Sequence, residues 1–371
     1  MCEGVHAEHA PECLERPILT ARGESFTLHQ VLGAAHYLGL ADGLWGQLYD
    51  SLVCETYATE EGFEDDPEQL QMALDEFRYS RGLVSAEETE RWLAERQLSE
   101  EQLVDALARD HWRRRFEGQL GSIRPAYAPR PGLLAEALWP QMLVHGQLRS
   151  LALALARRVV APELLPGGGA SMEMGRETQS IRAPGPAPRG CPSWAECSPE
   201  WCARLADMEA LYRRVVSSLV SPRRLAEALV ARRLDLTRFR LFQARCSSPD
   251  VAREALWCIV QDGESFEQAT GRAAASREDR ILFLEQAAKL LAPLLVSALP
   301  GECFLVEEEE EQGEEEETEE GESGTLLVYV AEKSPPRLED PEVRSRLESA
   351  LLERSFAAVI DEHVRWLCPM E

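Results

Sequence analysis

Seven times along this chain a short polar side chain stands where a helix can begin, and this punctuation constrains the fold more than any other feature of the sequence. Thr27 with Gln30, Ser85 with Glu88 and Ser99 with Gln102 fit the S/T-x-x-E/Q box, in which two side chains satisfy backbone amides that a helix start leaves free. Ser198, Ser221, Ser248 and Asp340 each precede a proline, which has no amide to satisfy and whose φ already suits a first turn. Residues 24–160 therefore read as helical throughout. In "SAEETERWLAERQ" and "SEEQLVDALARDHW" the boxes are followed by Trp92 and Leu93, then by Leu103, Ala106, Leu107 and Asp110 at helical spacing. After Pro131 a longer apolar helix is expected, broken or kinked at Pro140.

Composition changes over 162–194, where Pro, Gly and small polar residues replace the periodic pattern, as in a linker or long surface loop. Helical signals resume at Ser198. Within the second half, "RFRLFQARC" (238–246) alternates Phe239, Leu241 and Gln243 against Arg240, Phe242 and Arg245 and predicts a strand. "TLLVYVAEK" (325–333), rich in β-branched and aromatic residues, is its expected partner, and "CFLVE" (303–307) is expected to pair with that partner. Between these two lies "EEEEEQGEEEETEEGE" (307–322), which reads as a solvated acidic loop. From Asp340 a last helix is predicted to about Leu367, burying Val343, Leu347, Leu351, Val359, Val364 and Leu367.

The formal charge is −26, and the twelve glutamates of 307–322 leave −14 for the rest. Such a surface repels phosphate backbones, so nucleic acid is not an expected partner. No stretch of 18 apolar residues and no signal-peptide pattern occurs, so the chain reads as cytoplasmic, with no membrane partner. The ten cysteines are scattered through 371 residues, a usage that suits reduced thiols. Cys2, His6, His9 and Cys13 are all zinc-ligand types, but CxxxHxxHxxxC is not the spacing of a common finger, and no core is predicted around it; neither metal nor cofactor is expected. No phosphate-binding loop, dinucleotide fingerprint, H-E-x-x-H or G-x-S-x-G is present.

The stretch 237–270, a strand followed by two capped helices, together with 324–367, resembles the isomerase module of SurA and parvulin-like (PpiC-type) peptide-binding proteins, especially forms linked to bacterial peptide maturation systems. "DEFRYSRGLVSAEETERWLAERQLSEEQLVDAL" (75–107) is similar to the helical N-terminal domain of that group. The resemblance implies an α+β protein in which a helical domain, completed by the C-terminal helix, accompanies a small antiparallel sheet. It divides the chain into a flexible tail (1–23), a helical peptide-binding domain (24–161), a linker (162–194), connecting helices (195–234), a degenerate parvulin-like domain (235–336) and a C-terminal helix packing on the helical domain (337–371).

Active parvulins carry one histidine on the first strand and one on the last, at the heart of the sheet. The matching strands here have none, and no histidine occurs from 146 to 362. Leu241, Phe242 and Leu327 have no donor or acceptor to replace an imidazole. Cys246, Cys258 and Cys303 are thiols within the module with no basic neighbour in sequence. The resemblance thus implies a non-catalytic chaperone that holds a ribosomally synthesised precursor peptide, leader or core, for modifying enzymes in natural-product biosynthesis. A weak prolyl isomerase or a general holdase is the alternative. Strand addition is the expected binding mode, with Phe239, Leu241, Gln243, Arg245, Leu327 and Tyr329 as peptide-contacting residues. A groove among Trp92, Leu103, Trp112 and the last helix is a second possible holder. The sequence assigns no oligomeric state.

Overall fold

The computed structural model describes residues 12–64, 66–129, 132–165, 197–272, 274–307 and 325–369. The protein is α+β, with two small antiparallel sheets among many helices. It divides into two compact units, one of residues 1–218 with 353–371 and one of 219–352.

The first unit begins with β1 (Pro17–Ala21) and β2 (Glu24–Thr27), followed by α1 (Leu28–Tyr37) and α2 (Asp42–Glu60). Then come α3 (Pro67–Ser80), α4 (Ala86–Arg96), α5 (Glu100–Arg115), α6 (Leu120–Ile123), α7 (Leu133–Val144) and α8 (Gln147–Val160). The boxes at Thr27, Ser85 and Ser99 form with both reciprocal bonds, which start α1, α4 and α5. Asp66 caps α3 in the same manner, accepting from the amides of Glu68 and Gln69. Pro140 neither breaks nor ends α7: the helix runs on to Val144, and the chain turns at Gly146, whose φ of +65° is open to a residue without Cβ. The expected break at Pro140 is thereby moved six residues on.

Residues 17–23 are not a tail. β1 is the middle strand of a three-stranded sheet, paired antiparallel with β2 on one side and on the other with β7 (Val364–Trp366). Ile18 and Leu19, at an irregularity in the pairing with β2, are both 0 % exposed, so the strand lies in the core. The last helix, α14 (Pro341–His363), accordingly stops short of the expected Leu367, and Val364 continues as strand while Leu367 is exposed. Residues 1–11, most of 162–194 and 308–322 lie outside the described residues.

After 197 the chain enters α9 (Pro199–Leu219), capped by the Ser198 hydroxyl, which accepts from Trp201 N at 3.2 Å. The Trp201 indole lies over Gly33 of α1, where an added Cβ would come within 3.1 Å of the ring, and its Nε1 donates to Gln30 O at 3.1 Å. Most of α9 therefore belongs to the first unit, which corrects its assignment to a connecting segment.

The second unit holds α10 (Pro222–Ala231), β3 (Arg238–Cys246), α11 (Pro249–Val260), α12 (Phe266–Thr270), β4 (Ala274–Phe283), α13 (Leu291–Ser297), β5 (Cys303–Glu307), β6 (Thr325–Ser334) and the start of α14. Ser248 and Asp340 cap as expected, but Ser221 makes no side-chain cap bond. The four strands are antiparallel in the order β4-β3-β6-β5. Three of them are the expected strands; β4 is additional. Lys333 of β6 donates to the carbonyls of Leu295, Val296 and Ala298, closing the C-terminal end of α13 and fixing that helix to one face of the sheet.

The burial of β1 predicts that Ile18→Ala lowers the unfolding free energy of the first unit by about 2–4 kcal/mol, the usual cost of a large-to-small change in a closed core. Urea denaturation followed by tryptophan fluorescence measures it. A change below about 0.5 kcal/mol, normal for an exposed site, would show that this strand is not part of the core.

Candidate functional site

Strand geometry decides what the second unit can present to a ligand. Side chains alternate between faces, and cross-strand partners share a face. On β3 this puts Phe239, Leu241, Gln243 and Arg245 on one face, together with Val328 and Val330 of β6 and Leu282 of β4. Leu327 and Tyr329 lie on the other face, paired with Ala244 and Phe242. The six expected contact residues therefore do not line one groove. Arg245, expected opposite Leu241, is on the Leu241 face.

Depth separates them further. Phe239 and Leu241 are 0 % exposed, packed with Leu282, Leu291, Leu295, Val306, Val328 and Val330 into a closed core under α13. Leu327 is equally buried, against α11 and α12 on the opposite face. These three are structural and present no surface to a peptide. Tyr329 is half-buried in a ring cluster: it stacks on Phe242 with centroids 6.1 Å apart and planes 4° from parallel, and Phe266 of α12 lies 5.8 Å from it.

Gln243 and Arg245 are the members of the set that retain polar chemistry near the surface. Gln243 is 5 % exposed and makes no side-chain hydrogen bond among the described residues. Across β4 its partner is Glu278; Leu241 faces Arg280 and Arg245 faces Ser276. These β4 residues are exposed, as are Arg277, Asp279 and Ile281 between them. Six consecutive residues of β4, from 276 to 281, are thus open to solvent on both faces, and the strand is an edge of the sheet. An edge carries backbone donors and acceptors with no partner strand, and the mixed charges of Arg277, Glu278, Asp279 and Arg280 discourage indiscriminate pairing. Arg240 and Asp279 form an ion pair across the two strands at 2.7 Å, which keeps the edge in register.

Two thiols of this unit, Cys246 and Cys303, are poor nucleophiles. Burial pushes the Cys303 thiol up to about 12 and also raises Cys246, so both are protonated at neutral pH. In the first unit Cys13 is a half-buried free thiol, and Cys2, His6 and His9 lie outside the described residues. The second expected holder does not form a groove either. Leu103 is 0 % exposed; Trp92 packs edge-on against Phe77 under Arg81 and Arg96, and Trp112 stacks on Phe116.

Sequence reading missed Glu278 and Arg280, because β4 carries charge on both faces and shows no alternation. The available signal was the apolar end of "SREDRILF", whose Leu282 and Phe283 are buried where the strand reaches the core. Among the described residues no helix is long and apolar enough to cross a membrane. Comparison of the chain with protein-family models, with curated proteins and with solved structures finds no match.

Buried, protonated thiols predict slow chemistry. Cys246 and Cys303 should remain unalkylated by iodoacetamide at pH 7.5 in the folded protein over a time that fully modifies a model thiol, as read by mass spectrometry of digested peptides. Rapid modification of either would mean an activated or accessible thiol.

Proposed function

We propose that this protein holds an extended peptide without acting on it chemically, the peptide adding as a further strand to the outer edge of β4. The observation that carries the reading is the uncovered edge itself: Ser276–Ile281 is exposed on both faces beside a well-packed sheet. Backbone pairing along such an edge supplies affinity with little sequence demand, and alternate side chains supply selectivity. On the α13 face those side chains would meet Arg280, Glu278 and the amide of Gln243, with Arg245 beyond. On the other face they would meet Asp279 and Ile281.

The peptide is, in this reading, a ribosomally made precursor held for modifying enzymes, as the resemblance to peptide-maturation relatives of SurA and the parvulins implies. Two observations support the resemblance. The strands that match the family's first and last, β3 and β6, are the central pair of the sheet. The second unit also forms the strand and the two capped helices that carry the resemblance, β3, α11 and α12. Holding rather than isomerising is favoured because neither central strand offers an imidazole and Cys246 and Cys303 are held as thiols. All described cysteines are free, which suits a reducing cytoplasm.

Calorimetric titration with the precursor peptide encoded beside this chain's gene, and with its scrambled form, tests the reading. Tight binding of the native peptide alone is expected. Backbone N-methylation should weaken binding about fivefold at each alternate residue that donates to β4, roughly 1 kcal/mol per lost hydrogen bond, and have little effect at the residues between. Equal binding of both peptides would indicate a general holdase, and insensitivity to N-methylation would remove strand addition. Acceleration of X-Pro exchange, slow without catalysis, would restore the isomerase.

A further inference from the structure

A second polar feature lies within the helical unit and is separate from the sheet edge. A cavity of about 280 Å³ is walled by Gln47, Leu48 and Ser51 of α2, Asp110, Arg113 and Arg114 of α5, Gln141 at the end of α7, His145 of the turn and Gln147 at the start of α8. Eight of these nine side chains are polar, in a bundle whose other internal positions are mostly Leu, Ala, Val and Trp. Its volume is close to the lower end of small-ligand pockets.

The wall is chemically incomplete. Gln141 is 4 % exposed; its Nε2 lies 2.7 Å from His145 Nε2, and its Oε1 is buried with no partner. Whichever way that amide is turned, one of its two ends is unsatisfied. Gln147 repeats the pattern, its Nε2 donating to Gln47 Oε1 at 3.0 Å while its own Oε1 is buried and unpartnered. Buried polar atoms without partners cost stability, and a native protein that keeps two in one cavity wall needs a reason.

Charge gives the complement. Asp110 is 6 % exposed, and both its oxygens are engaged: Oδ1 accepts from Arg113 at 2.9 Å and Oδ2 pairs with Arg114 at 2.6 Å. Burial works to raise its pKa, but Arg113 and Arg114 hold it below the ordinary carboxylate value. Two guanidinium groups share one carboxylate, which leaves one positive charge in excess. The side chain of Arg114 is 69 % exposed, so that excess is presented to solvent. His145 adds no further charge at neutral pH, since desolvation lowers its pKa against the pull of Asp110.

We propose that this cavity binds an α-carboxylate carried next to a secondary amide, the chemistry shared by the C-terminal residue of a peptide and by a free N-acyl amino acid. The carboxylate pairs with Arg113 and Arg114, whose planar donors suit it, and the adjoining amide satisfies the unpartnered ends of Gln141 and Gln147. The site does not depend on the strand-addition reading, because it uses other residues in the other unit.

The experiment is calorimetry on the full chain with N-acetyl-alanine, an N-acetylated tetrapeptide with a free C-terminus and the same tetrapeptide as its C-terminal amide. Both carboxylates should bind and the amide at least tenfold more weakly. A tetrapeptide that binds tighter than N-acetyl-alanine identifies a peptide end as the ligand, and equal affinities identify a small acyl amino acid. Gln141→Met should weaken binding at least tenfold while leaving the thermal midpoint of the free protein unchanged or raised, since it removes an unsatisfied group. Arg114→Gln, at an exposed position, should weaken carboxylate binding without loss of fold and decides the matter if Gln141→Met does not fold. Absence of binding at millimolar concentrations, equal binding of the amide, or affinity unaffected by Arg114→Gln would overturn the proposal. These outcomes concern the helical unit alone, and N-methylation of peptides at the β4 edge is read separately.

Discussion

β3 is hydrogen-bonded along its length to β4 on one side and β6 on the other, and the second unit takes its form from that double pairing. A strand with both edges occupied cannot receive a ligand strand, and its alternation sends apolar residues into two separate cores. Phe239 and Leu241 pack under α13, while Ala244 and Cys246 pack under α11 and α12. Polar chemistry is then confined to places where a core ends or a strand is an edge. Gln243, Arg245, Glu278 and Arg280 occupy such places.

Features written in local sequence were legible. Caps at Thr27, Ser85, Ser99 and Ser248 depend on residues three positions apart, so the pattern and the hydrogen bonds coincide. Strands β3, β5 and β6 carry enough β-branched and aromatic side chains to declare themselves. β1 does not, being five residues long, and its burial depends on pairing with β7 more than 340 residues later, which no window of sequence contains. The break expected at Pro140 illustrates the reverse error. A strong local rule gave way to an α7 that is buried throughout its second half, where packing favours continuing the helix.

The candidate site was half legible for the same reason. β3, β5 and β6 were placed correctly and β4 was missed, but which face of β6 meets which face of β3 depends on their register, and a shift of one residue exchanges the faces. The structure pairs Gln243 with Val328 and Ala244 with Leu327, separating Leu327 and Tyr329 from the residues they were grouped with. Sequence also cannot distinguish an apolar strand residue in a pocket from one in a closed core, which is why Phe239, Leu241 and Leu327 were grouped with Gln243. The distinction is made by α11, α12 and α13, which cover the faces.

Gln243 and Gln141 show how far stability alone accounts for this protein. Each is a long amide at a position more than nine-tenths buried, and Gln141 leaves its Oε1 buried without a hydrogen-bond partner among the described residues. Leucine or methionine would fill similar volume with no polar group to satisfy, and at position 243 it would face Val328 across the strands. Removing an unsatisfied buried group can be neutral or stabilising, so folding by itself does not call for glutamine at 141. Some other polar side chains in the core are paired, Arg109 with Glu55 and Asp110 with Arg113, while the Trp92 indole nitrogen has no partner among the described residues. The two amides lie beside the β4 edge and the helical cavity. An incoming amide group would supply the hydrogen bond that Gln141 lacks, a reason for the glutamine that folding does not give.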